Sequence, residues 1–195
     1  YAAATGWSAP AGRNLAGAKV AVLGGGGITE SLLALMAPFG ADVTVVRRTP
    51  APVAGATRVV AFDHLDEALT GAHAVVLTLA LTPATAGVLD ARTLALLAPG
   101  AAVVNVARGG HIVTDDLVAA LRSGQVGSAG LDVTDPEPLP EGHPLWALPN
   151  VIITPHVGNT PEMAVPLLSA RLADNVRRWA AGQPLVGLVD PDAGY

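Results

Sequence analysis

Three residues of this sequence have side chains suited to acid/base chemistry on a carboxylic acid: Arg108, Glu137 and His156. The planar guanidinium of an arginine can bind a carboxylate through two parallel hydrogen bonds. A histidine paired with a carboxylate can exchange a proton near neutral pH. Together the three side chains would serve the interconversion of a hydroxy acid and an oxo acid, provided that a hydride carrier lies beside them.

Each of these residues has a simpler interpretation when it is taken alone. An arginine in a loop is usually a surface charge, a glutamate between prolines is usually solvated, and a single histidine is more often structural than catalytic. Their positions make the combination more informative, because each lies at or just beyond the C-terminal end of a predicted strand. Ligands and catalytic groups of open α/β sheets gather along that edge.

Short apolar runs rich in valine, isoleucine and leucine alternate with helical segments along the chain. The runs are continuous, which is typical of strands buried on both faces. They predict strands over residues 19–23, 42–46, 59–62, 74–77, 102–105, 128–132 and 151–154. Helices are predicted over residues 28–37, 90–97, 114–123 and 161–181. This alternation predicts an α/β fold with a doubly wound parallel sheet and helices on both faces.

A glycine-rich turn joins the first predicted strand to the first predicted helix. Gly24 can form the tight turn, Gly26 lets the backbone approach a pyrophosphate, and the helix that starts near Ile28 offers free amides. The third small position of the dinucleotide fingerprint falls on Thr29, so the match is imperfect. A flexible turn that binds nothing and a methyltransferase-type nucleotide site are the alternatives.

The residues after the second predicted strand favour one dinucleotide. An NAD site usually has an acidic residue there for the ribose hydroxyls. This sequence has Arg47, Arg48 and Thr49 instead. Two guanidiniums and a hydroxyl could hold the 2′-phosphate of NADP, so NADP is favoured over NAD as the cofactor. An exposed basic loop without a ligand is the alternative.

Composition and charge exclude several other classes. The chain has 195 residues, of which 51% are hydrophobic and 14% charged, a globular composition. A net charge of -5 argues against nucleic acid as a partner. The longest apolar stretch, residues 74–81, is far shorter than the roughly 20 residues of a membrane span. The absence of cysteine excludes disulfides and fits a cytoplasmic enzyme.

The remaining histidines are weaker candidates for the site. His64 and His73 lie at element ends on the predicted adenosine side of the sheet, and His111 and His143 lie in loops near the site. No pair of them has the spacing of metal ligands, so no metal site is expected.

These stretches together resemble the NAD(P)-binding domain of the D-isomer-specific 2-hydroxyacid dehydrogenases, which include the glyoxylate/hydroxypyruvate reductases. The matching segments follow the family's order over most of the chain: residues 22–29, 81–83, 104–110, 130–138, 143–146 and 148–158. The resemblance implies a Rossmann-type fold, a small 2-oxo or 2-hydroxy acid as substrate, and a homodimer.

The resemblance also implies a role for each matching residue. Arg108 would orient the substrate carboxylate and carbonyl, His156 would be the acid/base, and Glu137 would pair with His156 and favour its protonated form. Asp132 would hold the nicotinamide carboxamide. The expected cofactor-binding residues are Gly24, Gly26, Gly27, Ile28, Arg47, Arg48, Thr49, Leu81, Pro83, Ala107, Asp132, His156 and Gly158.

The chain departs from the family in its extent. In the family, about a hundred N-terminal residues and the C-terminal tail build a substrate domain, and no such N-terminal segment is in this sequence. We therefore expect residues 1–17 to be a linker or crossover, residues 18–182 the cofactor domain, and residues 183–195 a tail that returns to an absent substrate domain. Such a piece would bind cofactor but turn over poorly. A dinucleotide-sensing or corepressor-like module without turnover is the alternative function.

Overall fold

The computed structural model describes residue 12 and residues 14–189. Seven strands form one sheet, and their continuous apolar sequences explain why most of them are buried on both faces. The strands are β1 Lys19–Leu23, β2 Asp42–Val46, β3 Arg58–Val60, β4 Ala74–Leu77, β5 Ala101–Asn105, β6 Val126–Leu131 and β7 Val151–Ile153. The number of strands and the positions of all seven agree with the sequence prediction within two residues at each end.

All seven strands run parallel, in the order β3-β2-β1-β4-β5-β6-β7. The chain therefore winds outward in one direction from β1 and in the other from β4. Ligands of such sheets bind at this switch point, outside the carboxyl ends of the strands. The predicted doubly wound parallel sheet is confirmed. The loops that carry the candidate residues lie at the edge formed by the carboxyl ends of its strands.

Five α-helices connect the strands: α1 Gly27–Met36, α2 Leu65–Leu69, α3 Ala91–Leu96, α4 Thr114–Ser123 and α5 Pro161–Ala180. Leu33 of α1 packs against the face of the sheet that carries Val20 and Val22. The opposite face, which carries Ala21 and Leu23, is covered by side chains of α2, α3 and α4. Alternate residues of β1 thus face two separate cores, as the two-residue period of a strand requires.

The sequence prediction differs from the structure by one residue at several element ends, by two residues at the end of β3, and more clearly at α2 and β6. It missed α2, which has only five residues and is too short to show a helical period. It also began β6 two residues late, at Ser128 instead of Val126, because Gly127 interrupts the apolar run. Gly127 lies against the backbone of Gly100, where a side chain would have no room.

The last helix and its flanks lie apart from these cores. No side chain of α5 is buried within the described residues. Asn175 of α5 binds both backbone groups of Val186, so the chain folds back along the helix as far as it is described. Residues 1–11 and 13 of the predicted linker and residues 190–195 of the predicted tail lie outside the described residues. Among the helices described, none has the length and apolarity needed to cross a membrane.

Candidate active site

The glycine-rich turn leaves β1 through a backbone conformation that only glycine adopts readily. Gly24 has φ 120°, and a Cβ atom there would lie 2.5 Å from Thr78 Oγ1. A Cβ at Gly26 or Gly27 would meet nothing within 4 Å, so this backbone faces open space. The helix α1 starts there with no side-chain cap on its first amides. An open, uncapped helix N-terminus of this kind is suited to bind a phosphate group.

Thr29, the departure from the dinucleotide fingerprint, is fully buried beneath this turn. Its hydroxyl donates to the carbonyl of Gly24 at 2.8 Å and lies 2.8 Å from Thr78 Oγ1. Thr78 Oγ1 in turn lies 3.0 Å from the carbonyl of Leu23. The threonine thus ties the glycine turn to the ends of β1 and β4. It replaces the close packing of a third glycine with hydrogen bonds, and the turn keeps its open outer side.

Arg47 follows β2 directly and lies over the glycine turn. A Cβ atom at Gly25 would be 2.9 Å from Arg47 Cδ, so the arginine stem crosses the backbone of the turn. Arg48 and Thr49 come next and are exposed. No acidic residue stands between Val46 and Pro50. The edge of the glycine turn is therefore basic, as the sequence predicts.

The loop after β4 approaches the loop after β5. Leu81 and Pro83 are exposed, and a Cβ atom at Gly110 would lie 3.2 Å from Leu81 Cδ2. Two residues before Gly110, the exposed Arg108 donates from Nη1 to the carbonyl of the buried Ala107 at 2.6 Å. These residues form the middle of the sheet edge, between the glycine turn and the loops that carry Glu137 and His156.

Glycine is required where the loop after β5 meets the loop after β6. A Cβ atom at Gly109 would lie 2.0 Å from the carbonyl oxygen of Thr134. One residue further along this second loop, the carbonyl of Asp135 accepts from the hydroxyl of Thr114, the first residue of α4, at 2.7 Å. The two loops are in backbone contact, so the position of Arg108 depends on the loop that carries Glu137.

His156 and Glu137 form a hydrogen-bonded pair. His156 Nδ1 donates to Glu137 Oε1 at 2.7 Å, and the two side chains are 47% and 41% exposed. The other ring nitrogen, Nε2, does not take part in this contact. The hydrogen bond from His156 holds the pKa of Glu137 below its ordinary value, and the amide of Thr134 and the charge of Arg108 act in the same direction.

Asp132 organises the turn that presents His156. Its carboxylate accepts from the hydroxyl of Thr154 and from the amides of Val157 and Gly158. Burial alone would raise the pKa of Asp132, but these hydrogen bonds outweigh it and hold the pKa below its ordinary value. His156 itself has φ 54°, an uncommon conformation for a residue with a side chain. The three bonds to Asp132 stabilise the turn around it.

We expect Asp132→Asn to lower the free energy of unfolding at pH 7 by about 1–3 kcal/mol, because the side-chain amide cannot accept all three bonds. The lowered pKa of Asp132 stabilises the fold above the unfolded value of about 3.9. That contribution is lost as the pH falls through the lower folded value. The difference between wild type and variant, measured by urea unfolding, should therefore shrink below about pH 4. Asp42→Asn, at an exposed position of β2, is the control. Equal stability of Asp132→Asn and wild type at pH 7 would contradict this account.

The other histidines lie apart from this pair. His64 pairs with Glu67 on the surface, and the ring of His73 accepts the amide of Lys19 at the N-terminal end of the sheet. His143 accepts the amide of Leu145 within the loop after β6. His111, expected in a loop near the site, is fully buried directly behind the Arg108 loop.

The sequence prediction missed several residues that support the site. Asn105 was missed, and His111 was named only as a weaker candidate; both are fully buried and contact the backbone of residues 107 and 108. Thr78, Gly109 and Thr134 were also missed, because their contacts join segments far apart in the chain. Only Asn105 gave a signal that could have been used, since it is a polar residue at the end of an apolar strand.

Comparison with known proteins agrees with the resemblance drawn from the sequence. The profile of the D-isomer specific 2-hydroxyacid dehydrogenase, NAD binding domain, matches residues 2–158. A glyoxylate/hydroxypyruvate reductase A of Serratia proteamaculans is 38% identical over 178 residues, which are 90% of this chain and 56% of that protein. The chain spans a little over half the length of the curated relatives that it matches first.

Two solved structures show the same fold with a dinucleotide bound. A D-isomer specific 2-hydroxyacid dehydrogenase from Xanthobacter autotrophicus in complex with NADPH and MES is 40% identical, with a TM-score of 0.86. The alignment covers 97% of this chain and 77% of that one. An NADPH-dependent glyoxylate/hydroxypyruvate reductase from Sinorhizobium meliloti, with NADP and sulfate, is 30% identical with a TM-score of 0.88 and coverages of 97% and 60%.

These matches favour a dinucleotide site over a methyl-donor site at the glycine turn. The high TM-scores of the solved structures also agree with the strand order of the sheet. The chain belongs to the family of NAD-binding domains of the D-isomer specific 2-hydroxyacid dehydrogenases.

Proposed function

We propose that the full-length protein reduces small 2-oxo acids, such as glyoxylate or hydroxypyruvate, to 2-hydroxy acids with NADPH. The observation that carries this proposal is the His156–Glu137 pair, which lies on the same sheet edge as the open glycine turn and Arg108. Two kinds of relative support it: the Serratia and the Sinorhizobium proteins are both named as glyoxylate/hydroxypyruvate reductases.

In this proposal His156 is the acid/base. Its Nδ1 is bound to Glu137, so Nε2 is the atom that gives a proton to the oxo group and recovers it in the reverse direction. Glu137 stays ionised because its pKa is held low, and it fixes the orientation of the imidazole ring. The guanidinium of Arg108 binds the substrate carboxylate.

The residues at the glycine turn fit a dinucleotide. The open backbone at Gly26 and Gly27 would hold the pyrophosphate, while Ile28, Leu81, Pro83, Ala107 and Gly158 would line the rest of the site. Asp132 would hold the nicotinamide carboxamide. When bound, the dinucleotide supplies the hydride for the reduction of the oxo carbon. Ile28 is 57% exposed at the start of α1, as expected of an apolar side chain that a ligand covers.

We propose NADP over NAD because Arg47 crosses the glycine turn and no acidic residue follows β2. Arg48 and Thr49 would add further contacts to a 2′-phosphate. The dinucleotides bound in the two solved relatives are NADPH and NADP, which supports this choice.

Arg47→Asp is expected to weaken NADPH binding by about tenfold to a hundredfold while NADH binding changes little, because a charge-assisted hydrogen bond to the phosphate is replaced by repulsion. Titration of each dinucleotide by calorimetry measures the ratio of the two dissociation constants. Arg122→Asp makes the same charge change at an exposed position in the last turn of α4 and serves as the control. If the ratio of the NADPH and NADH dissociation constants is the same in Arg47→Asp as in wild type, this loop does not select the cofactor.

The proposed reaction is tested by following NADPH oxidation by the full-length protein over a panel of 2-oxo acids. We expect turnover of at least one small 2-oxo acid. Dinucleotide binding without any turnover would instead favour a dinucleotide-sensing module. In a companion experiment the 195-residue chain alone is expected to bind NADPH but to turn over poorly, because it spans a little over half the length of its relatives.

A further inference from the structure

His111 is a buried titratable side chain for which the proposed reaction has no use. It lies in the short turn Gly109–His111 that follows Arg108, and its exposure is 0%. Its Nδ1 is 2.9 Å from the carbonyl oxygen of Arg108. Its Nε2 is buried and has no hydrogen-bond partner in the part of the chain that the structure describes.

The Arg108 carbonyl decides where the proton of this imidazole lies. A carbonyl oxygen can only accept, so Nδ1 bears a hydrogen, and in the neutral imidazole Nε2 is then a bare acceptor. Burying an acceptor without a partner is unfavourable, and an apolar side chain of similar size would avoid that cost. The histidine therefore brings one thing that leucine could not bring, which is the hydrogen bond to Arg108.

The same carbonyl is held from a second side. Asn105 Nδ2 donates to it at 2.9 Å, and the backbone amide of His111 lies 3.3 Å away. Asn105 Oδ1 also accepts the amide of Ala107 at 3.0 Å, and the Asn105 side chain is buried as completely as that of His111. We call these two side chains, Asn105 and His111, the Arg108 clamp.

The clamp is itself anchored to the protein interior. The carbonyl of His111 accepts the amide of Leu89 at 3.0 Å, and the carbonyl of Gly110 accepts the amide of Gly87 at 2.9 Å. Leu89, which is fully buried, forms a parallel bridge with Ile112. The imidazole is therefore attached to a fixed backbone and reaches back to the preceding turn.

We propose that His111 is a positioning residue for Arg108: its Nδ1–H holds the Arg108 carbonyl and so fixes the backbone from which the guanidinium reaches the substrate carboxylate. This inference rests on the function proposed above for Arg108. Reactions of this kind depend on preorganised groups, and displacement of a binding group by about 1 Å can cost a hundredfold in rate.

Two substitutions in the full-length protein separate this contact from packing. His111→Leu fills the space but removes the donor, whereas His111→Asn leaves a gap but keeps an N–H near the position of Nδ1. For His111→Leu we expect a melting temperature at or above that of wild type, a KM for the 2-oxo acid raised about tenfold or more, and an unchanged Kd for NADPH. For His111→Asn we expect a lower melting temperature and a KM close to that of wild type.

In this result the more stable variant, His111→Leu, has the higher KM, and the less stable variant, His111→Asn, keeps a KM close to that of wild type. A merely structural role would not give this order. If KM instead follows the melting temperature, the positioning role is wrong. In an Arg108→Ala background, His111→Leu should cause no further loss of kcat/KM, because the residue that it positions is gone. An additive loss there would also overturn the proposal.

A nitrogen NMR spectrum of the full-length protein tests the clamp without turnover, since it distinguishes a protonated Nδ1 from a protonated Nε2. We expect His111 to bear its hydrogen on Nδ1. The other tautomer would overturn the clamp whatever the enzyme does. If wild type reduces no 2-oxo acid, the proposed function fails. If wild type is active and His111→Leu keeps its KM, the positioning role alone fails.

Discussion

Replacing His156 with asparagine in the full-length protein is expected to lower kcat for 2-oxo acid reduction by about 10²–10⁴-fold, the usual contribution of a general acid. The side-chain amide of asparagine can still donate to Glu137 where Nδ1 does now, but it has no equivalent of Nε2. Asparagine also tolerates the positive φ of position 156 better than most residues, so the turn should be preserved. Steady-state kinetics should show the loss in kcat, while the dissociation constant of NADPH, measured by calorimetry, should change far less than kcat.

His64 provides a matched control for this substitution. It also hydrogen-bonds a glutamate through Nδ1, since its distance to Glu67 Oε1 is 2.7 Å, but it lies on the surface beside α2. The hydrogen bond that His64 donates to Glu67 raises the pKa of His64. His64→Asn should leave kcat unchanged. A His156→Asn protein that keeps wild-type kcat would exclude His156 as the acid/base, and equal losses in the two variants would point to a general effect of removing a surface ion pair.

Substitution of Gly109 by alanine is expected to lower both the stability of the protein and its kcat/KM. The new Cβ atom would lie 2.0 Å from the carbonyl oxygen of Thr134, so the backbone of one of the two loops must move. Overpacking against backbone costs about 1–3 kcal/mol or more. The movement would also separate Arg108 from Glu137 and His156, and we expect kcat/KM to fall by about a hundredfold. Urea unfolding and steady-state kinetics of the full-length protein measure the two effects.

Gly130→Ala is the matched control, because a Cβ atom at this position of β6 would meet nothing within 4 Å. It should change stability by less than about 1 kcal/mol, since alanine is also easier to order in a strand than glycine. A Gly109→Ala protein that matches it in stability and activity would show that the two loops can separate without consequence.

The alternation of apolar runs and helical segments was sufficient to predict the parallel sheet. Continuous runs such as Lys19–Leu23 are buried on both faces, and that pattern depends on local sequence alone. The helix α2 could not be found in this way, because five residues do not complete two helical turns. Its formation depends on the burial of Ala68 and Leu69 against the sheet, which is a tertiary effect.

The positions of Arg108, Glu137 and His156 were predictable for the same reason. Each follows the end of a strand, and parallel strands place their ends on one edge. The contacts that these three side chains make could not be predicted from the sequence. His156 meets Glu137 across 19 positions of sequence, and no local pattern indicates that Nδ1, rather than Nε2, makes that contact.

Thr29 shows how an apparent mismatch in the sequence acquires a physical explanation in the structure. In the sequence, a threonine stands where the dinucleotide fingerprint has a glycine. In the structure its hydroxyl donates to the carbonyl of Gly24 and contacts the hydroxyl of Thr78, which is 49 positions away. Likewise, the sequence places His111 in a loop near the site, but the structure shows it fully buried beside Arg108, with its backbone bound to Leu89.

The sequence by itself therefore determined the order along the chain of the strands and of the helices other than α2, the glycine turn, and which polar residues follow the strands, because these depend on local pattern and on the common direction of parallel strands. Only the tertiary structure decided which groups meet: Asp132 with the turn around His156, Gly109 with the Thr134 carbonyl, and His111 with the Arg108 carbonyl. These contacts join segments brought together by the packing of two cores, and their geometry is set by ångström-scale distances that no sequence spacing specifies.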